Sequence, residues 1–218
     1  MFVGHYGVSL AAKPVHKPVP LWLLFVAVQW LDVCWSVLAM LGVERLRVVK
    51  GFAEGSDLDL YYMPYTHGLM GAIGLSALFA AASAAFFRER RIRVFWILAA
   101  CVFSHWLLDL VVHVPDLPLI GNTAKVGFGL WRHVALSFPL EMICLWAGAA
   151  VYAWRIPAKN KLRDLWLWLF VIALSAVQVY GTFGPAPTSP IAEAQTALFA
   201  YLTIAVLAGL TDRARTVA

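Results

Sequence analysis

Val94 to His113 reads V-F-W-I-L-A-A-C-V-F-S-H-W-L-L-D-L-V-V-H. The run is apolar except near its end, contains no helix breaker, and stops two residues before Pro115. It has the roughly 20 residues that a helix rising 1.5 Å per residue needs to cross a hydrocarbon core. This stretch is therefore read as a membrane helix. His105, Asp109 and His113 follow one another at intervals of four, so they stack along one helical face. Imidazole, carboxylate, imidazole on one face is half of a metal site. A lone carboxylate at the centre of a span costs about 2.5–3.5 kcal/mol by insertion scales, so Asp109 needs a compensating partner.

Composition extends the membrane reading to the whole chain. Of 218 residues, 62% are hydrophobic and 13% charged, against about 25% charged in a soluble domain. Mean hydropathy is +0.77. One all-α, polytopic helical bundle spanning 1–218 is the economical architecture. Net charge is +5, but no basic patch calls for nucleic acid. Cys34, Cys101 and Cys144 all fall in apolar runs with no pattern, which argues against a disulfide framework or a thiolate metal cluster. The N-terminus lacks the basic region and small-residue cleavage site of a signal peptide.

Six full spans are expected, at about 21–43, 66–87, 94–114, 133–154, 164–182 and 191–210. Residues 1–12 are apolar but too short to cross, and a basic proline turn follows them at 13–20. Lys and Arg set the orientation. Segments 13–17, 88–93, 155–163 and 213–215 hold twelve of the seventeen, and segments 45–50 and 125–132 hold the other five. By the positive-inside rule the first group, and with it the C-terminus, is cytoplasmic. The loops at 44–65, 115–132 and 183–190 then lie on the outer side.

With that topology the polar groups acquire depths. His105 and Asp32 both lie about 17 Å above the cytoplasmic end of their spans. Asp109 and His113 sit one and two turns further out, and His67 opens the second span near the level of His113. His5 joins them if residues 1–12 form a half-helix dipping into the bilayer, which is tolerated only where protein buries it. No Lys or Arg lies inside the first three spans, so the balancing cation is a proton, a mobile ion or a bound metal. Histidines at matching depth favour the metal, with His5, Asp32, His67, His105, Asp109 and His113 as candidate ligands. In the fourth span His133, Ser137 and Glu141 share a face, which makes Glu141 a supporting group, a proton carrier or a ligand. The last two spans offer only weak polar signals and are read as scaffold.

The H-x-x-x-D of His105 and Asp109, the T-H-G at Thr66–Gly68, Asp32 and the G-H at Gly4–His5 resemble the inner-membrane-associated metal-dependent hydrolases. F-S-H-W-L-L-D-L-V-V-H-V-P-D-L-P-L followed by G-F-G-L-W is similar to a group of bacterial membrane proteins at that family's edge. The resemblance covers about residues 1–145. It implies a helical bundle in the inner membrane and a metal-binding role for His5, Asp32, His67, His105 and Asp109. The chain departs from the family pattern in having Tyr62 and Met63 before the T-H motif and a solitary Asp32.

The leading expectation is a membrane-embedded hydrolase acting on a lipid or lipid-linked ester, with a phosphoester the first choice. His and Asp ligands without cysteine suit zinc, and also manganese or iron. A metal-bound water would be the nucleophile, and Asp32 or Glu141 the general base. A proton- or ion-coupled transporter using the same buried groups is the second reading. A scaffold protein with a fully ligated structural metal is the third.

Overall fold

The computed structural model describes residues 1–216. Its order is α1 (Val3–Ala12), α2 (Leu21–Val28), α3 (Trp30–Met40), a hairpin of β1 (Arg45–Ala53) and β2 (Ser56–Tyr62), α4 (Leu69–Ala84), α5 (Arg91–Val112), α6 (Val134–Arg155), α7 (Lys161–Phe183) and α8 (Pro190–Thr216). Among the described residues four helices, α5 to α8, are long and apolar enough to cross a membrane. The molecule is thus a largely helical membrane protein. Three features depart from an all-α bundle of six full spans. The expected first span is broken, with α2 and α3 meeting at 55°, and α4 has only 16 residues. The expected 44–65 loop is an antiparallel hairpin, with Arg45 opposite Tyr62 and Ala53 opposite Ser56.

The break falls at Gln29, whose backbone (φ −105°, ψ 8°) leaves the helical region. Neither proline nor glycine forces it. The Gln29 side chain instead donates to the Phe2 carbonyl at 3.3 Å, tying the break to the start of α1. A helix end leaves carbonyls without intrahelical partners, and Val28, the last residue of α2, presents one. Beyond the break, Asp32 occupies the first turn of α3, where a carboxylate is favoured by the helix dipole.

Residues 3–12 do form the expected half-helix, and it is buried. Val3, His5, Tyr6 and Leu10 have no exposed surface. Between helices in lipid, close packing carries association, and small residues permit it. A Cβ on Gly7 would collide with the Cys144 carbonyl, and one on Gly148 with the Gly7 carbonyl. Those two glycines let α1 lie directly against α6. Tyr6 stacks on Phe25 at 4.6 Å between ring centroids, and Ser9 donates to the Leu24 carbonyl at 2.8 Å. The far end of α1 is pinned by Lys13, whose ammonium reaches Asp212 of α8 at 2.9 Å and donates to the carbonyls of Lys17 and Val19.

At the other end the hairpin and the 113–133 segment form a cap. The Gly55 N–H donates to the Trp131 carbonyl at 2.8 Å, and the Val134 N–H donates to Glu54 at 3.0 Å. Trp35, Leu46, Leu60, Met63 and Leu117 make a small apolar core beneath this cap. The three cysteines are free.

Candidate metal centre

Four elements deliver imidazoles and carboxylates to one point. Helix α5 supplies His105 and Asp109, with His113 as the residue after its last turn. The first turn of α3 supplies Asp32, the turn before α4 supplies His67, and α1 supplies His5. His105 Nε2 lies 3.0 Å from Asp109 Oδ2 and 3.5 Å from Asp32 Oδ1. His67 Nε2 lies 3.2 Å from Asp32 Oδ1 and 3.7 Å from Asp109 Oδ2. His113 Nε2 stands 3.5 Å from Asp109 Oδ2. Two triads of possible ligand atoms, His5–His105–Asp109 and Asp32–His67–His105, share His105.

The outer nitrogens of three rings fix their tautomers. His105 Nδ1 donates to the Val28 carbonyl at 2.7 Å, the group freed by the break after α2. His113 Nδ1 lies 2.8 Å from the acceptor-only Asp116 carboxylate. His67 Nδ1 lies 2.8 Å from Thr66 Oγ1, and that hydroxyl donates onward to Glu44 Oε2 at 2.6 Å. The Thr66 hydroxyl must therefore accept from His67. In each neutral ring Nδ1 carries the hydrogen and Nε2 is a bare lone pair. Imidazoles held in this way by a carbonyl or carboxylate are the usual arrangement behind a metal.

Those lone pairs face carboxylate oxygens, which are also acceptors. His105 Nε2, buried and 3.0 Å from Asp109, makes no hydrogen bond. With neutral rings these contacts set acceptor against acceptor, which a proton or a bound metal ion relieves. The spacing fits a metal ion: ligand atoms about 2.0–2.1 Å from a tetrahedral ion lie about 3.3 Å apart. The four separations linking His67 and His105 to Asp32 and Asp109, 3.0 to 3.7 Å, bracket that value.

The remaining candidates divide. His5 is fully buried, stacks on His105 with ring centroids 3.9 Å apart, and places Nε2 3.2 Å from Asp109 Oδ1. Neither of its nitrogens has a hydrogen-bond partner. The amino group of Met1 also reaches Asp109 Oδ1, at 2.6 Å. Glu141 is close by, with Oε2 accepting from the N–H groups of Phe2 at 2.7 Å and Gly4 at 3.3 Å. It is the anionic cap of α1. His133 is exposed at the start of α6, and it does not join Glu141.

Sequence reasoning missed Glu44, Thr66 and Asp116 as supports. The spacing of His113 and Asp116 and the adjacency of Thr66 to His67 were the available signals. It also took α7 and α8 as scaffold. A cavity of about 410 Å³ lies over the centre, and those helices form one wall of it, with Gln178, Glu193, Thr196 and Tyr201 in its lining. Trp35, the hairpin and Trp131 close the rest. Asp32 has 13% of its side chain exposed, whereas His67, His105, Asp109 and His113 have 3% or less, so Asp32 is the carboxylate presented to this space.

No protein-family model, curated protein or solved structure matches the chain.

Proposed function

We propose that the protein is a membrane-embedded metal-dependent hydrolase acting on a lipid or lipid-linked ester. The carrying observation is the convergence of His67 Nε2 and His105 Nε2 on the carboxylates of Asp32 and Asp109, with Nδ1 of each ring held from behind. The motif resemblance adds to it, and the adjoining cavity supplies room for a substrate. His67, His105 and Asp109 would hold one divalent ion with its fourth position open to water, and Asp32 stands beside that position, with His113 and His5 flanking the centre. Zinc is the preferred ion, since imidazole and carboxylate suit it and a tetrahedral spacing is its habit; manganese and iron remain compatible with the donor set. When bound, such an ion lowers the pKa of a coordinated water and polarises the bond under attack.

The protein groups then divide the work. Asp32 reaches the cavity and is the carboxylate placed to take a proton from an attacking water. Glu141 holds the first turn of α1, and through it His5, against the centre. The apolar residues Val177, Ala197 and Ala200 of the cavity wall lie on helices whose other faces meet lipid, which gives an acyl chain a lateral route.

In this reading α2–α3 crosses the inner membrane as one broken span and α4 as a short one. The basic end that carries Lys13, Lys159 and Arg215 is cytoplasmic, together with the C-terminus. Elemental analysis of the purified protein, paired with ester turnover, tests the core of the reading. About one divalent ion per chain is expected. His105→Ala and Asp109→Ala should each remove most of it together with any turnover. Ser175→Ala, whose hydroxyl meets only Trp146 and the Val171 carbonyl, should do neither. Protein that holds no ion after supply of zinc, manganese or iron would refute the hydrolase and leave a proton-relay transporter as the better account.

A further inference from the structure

The cavity over the centre has a one-sided charge. Six carboxylates line it: Asp32, Glu54, Asp57, Asp109, Glu141 and Glu193. Among the described residues no Lys or Arg side chain does. A divalent ion and the Met1 ammonium together offset three negative charges, so three remain when all six carboxylates are ionised. Enzymes that transfer phosphoryl groups hold the substrate's oxygens with Arg or Lys in addition to metal. This site has no such clamp, and an anionic substrate would approach carboxylates at close range, the buried Asp109 and Glu141 and the exposed Glu54 of the hairpin among them.

A second observation points to what the cavity does take. Its wall from α7 and α8 is apolar at Val177, Ala197 and Ala200. A carboxylic ester or amide carbonyl is neutral and adds no negative charge to the six carboxylates. The apolar wall from α7 and α8 accommodates the chain attached to that carbonyl.

We infer that the substrate is an acyl compound, a carboxylic ester or amide with an uncharged or cationic polar end, and not a phosphoester. This rests on the hydrolase reading and narrows it. In the step itself, a water oxygen bonds to the acyl carbon and the acyl–oxygen or acyl–nitrogen bond breaks. The water's oxygen stays with the carboxylic acid product. One water proton passes through a carboxylate to the leaving alcohol or amine, so no oxidant, reductant or further reactant is needed.

Two probes with one leaving group separate the possibilities: 4-methylumbelliferyl palmitate and the phosphodiester 4-methylumbelliferyl hexadecyl phosphate. Both are presented to the full-length, metal-loaded protein in neutral detergent micelles. The palmitate ester should be cleaved about 100-fold or more faster than the phosphodiester, the scale set by missing charge stabilisation in a transition state. Glu193→Gln should narrow the preference for the ester. Comparable or faster cleavage of the phosphodiester would overturn the inference while sparing the hydrolase reading. Cleavage of neither probe by metal-loaded protein would overturn both.

Discussion

Thr66→Val isolates the support behind His67. Threonine and valine have nearly the same shape, so the change removes a hydroxyl and little volume. That hydroxyl is 2.8 Å from His67 Nδ1 and 2.6 Å from Glu44 Oε2. Glu44 keeps the N–H groups of Tyr65 and Thr66 on its other oxygen, at 2.8 and 3.0 Å. Glu44 Oε2 loses its donor in every metal state, and the imidazole no longer has its tautomer and ring plane fixed. Removal of such a support typically weakens metal binding by about 10–100-fold, equivalent to about 1.4–2.7 kcal/mol. Competition against a chromophoric chelator in detergent measures the affinity directly. Melting with and without metal provides the second readout. The orphaned Nδ1–H costs about 1–3 kcal/mol in both states, whereas only the metal-induced gain in stability should shrink by the affinity difference. Thr123→Val is the control, because that exposed hydroxyl meets only the Ile120 carbonyl. Affinities of Thr66→Val and wild type that agree within about twofold, against the tenfold minimum expected, would refute the role given to this relay.

Two further outcomes follow from the packing and the charge distribution. Gly148→Ala should lower the melting temperature and loosen metal binding, because the new Cβ meets the Gly7 carbonyl and must displace α1 with its His5. Gly74→Ala, in open space on α4, should be neutral or slightly stabilising; equal behaviour of the two variants would contradict the proposed seating of α1. With Cys34, Cys101 and Cys144 replaced, an impermeant thiol reagent added outside cells should label a cysteine placed at Ser56 and miss one at Lys159. The reverse pattern would put the cavity on the cytoplasmic side.

Much of the candidate centre was legible in the chain because its elements are local. The four-residue intervals from His105 to His113 place three groups on one helical face whatever surrounds them. The scarcity of charge in apolar runs of spanning length marks Asp32 and Asp109 as groups needing partners. The same reasoning located the half-helix of residues 3–12, since an apolar segment too short to cross must lie against protein.

Other parts depended on distances between segments remote in sequence. Glu44 belongs to a charged segment that reads as solvated, yet tertiary packing buries it against Thr66. The break at Gln29 contains no proline or glycine, and its partner, the Phe2 carbonyl, comes from another helix. That break is what hands the Val28 carbonyl to His105. Glu141 shares a helical face with His133 by spacing, but the arrival of α1 at its carboxylate makes it a helix cap. Helices α7 and α8 carry few polar residues, and they become a cavity wall only through their position beside α3 and the hairpin. By itself the sequence determined what each helix could present, because side-chain direction follows the 3.6-residue period. Tertiary structure alone decided which presentations meet, because a separation of about 3.3 Å between ligand atoms is set by how whole helices pack and bend.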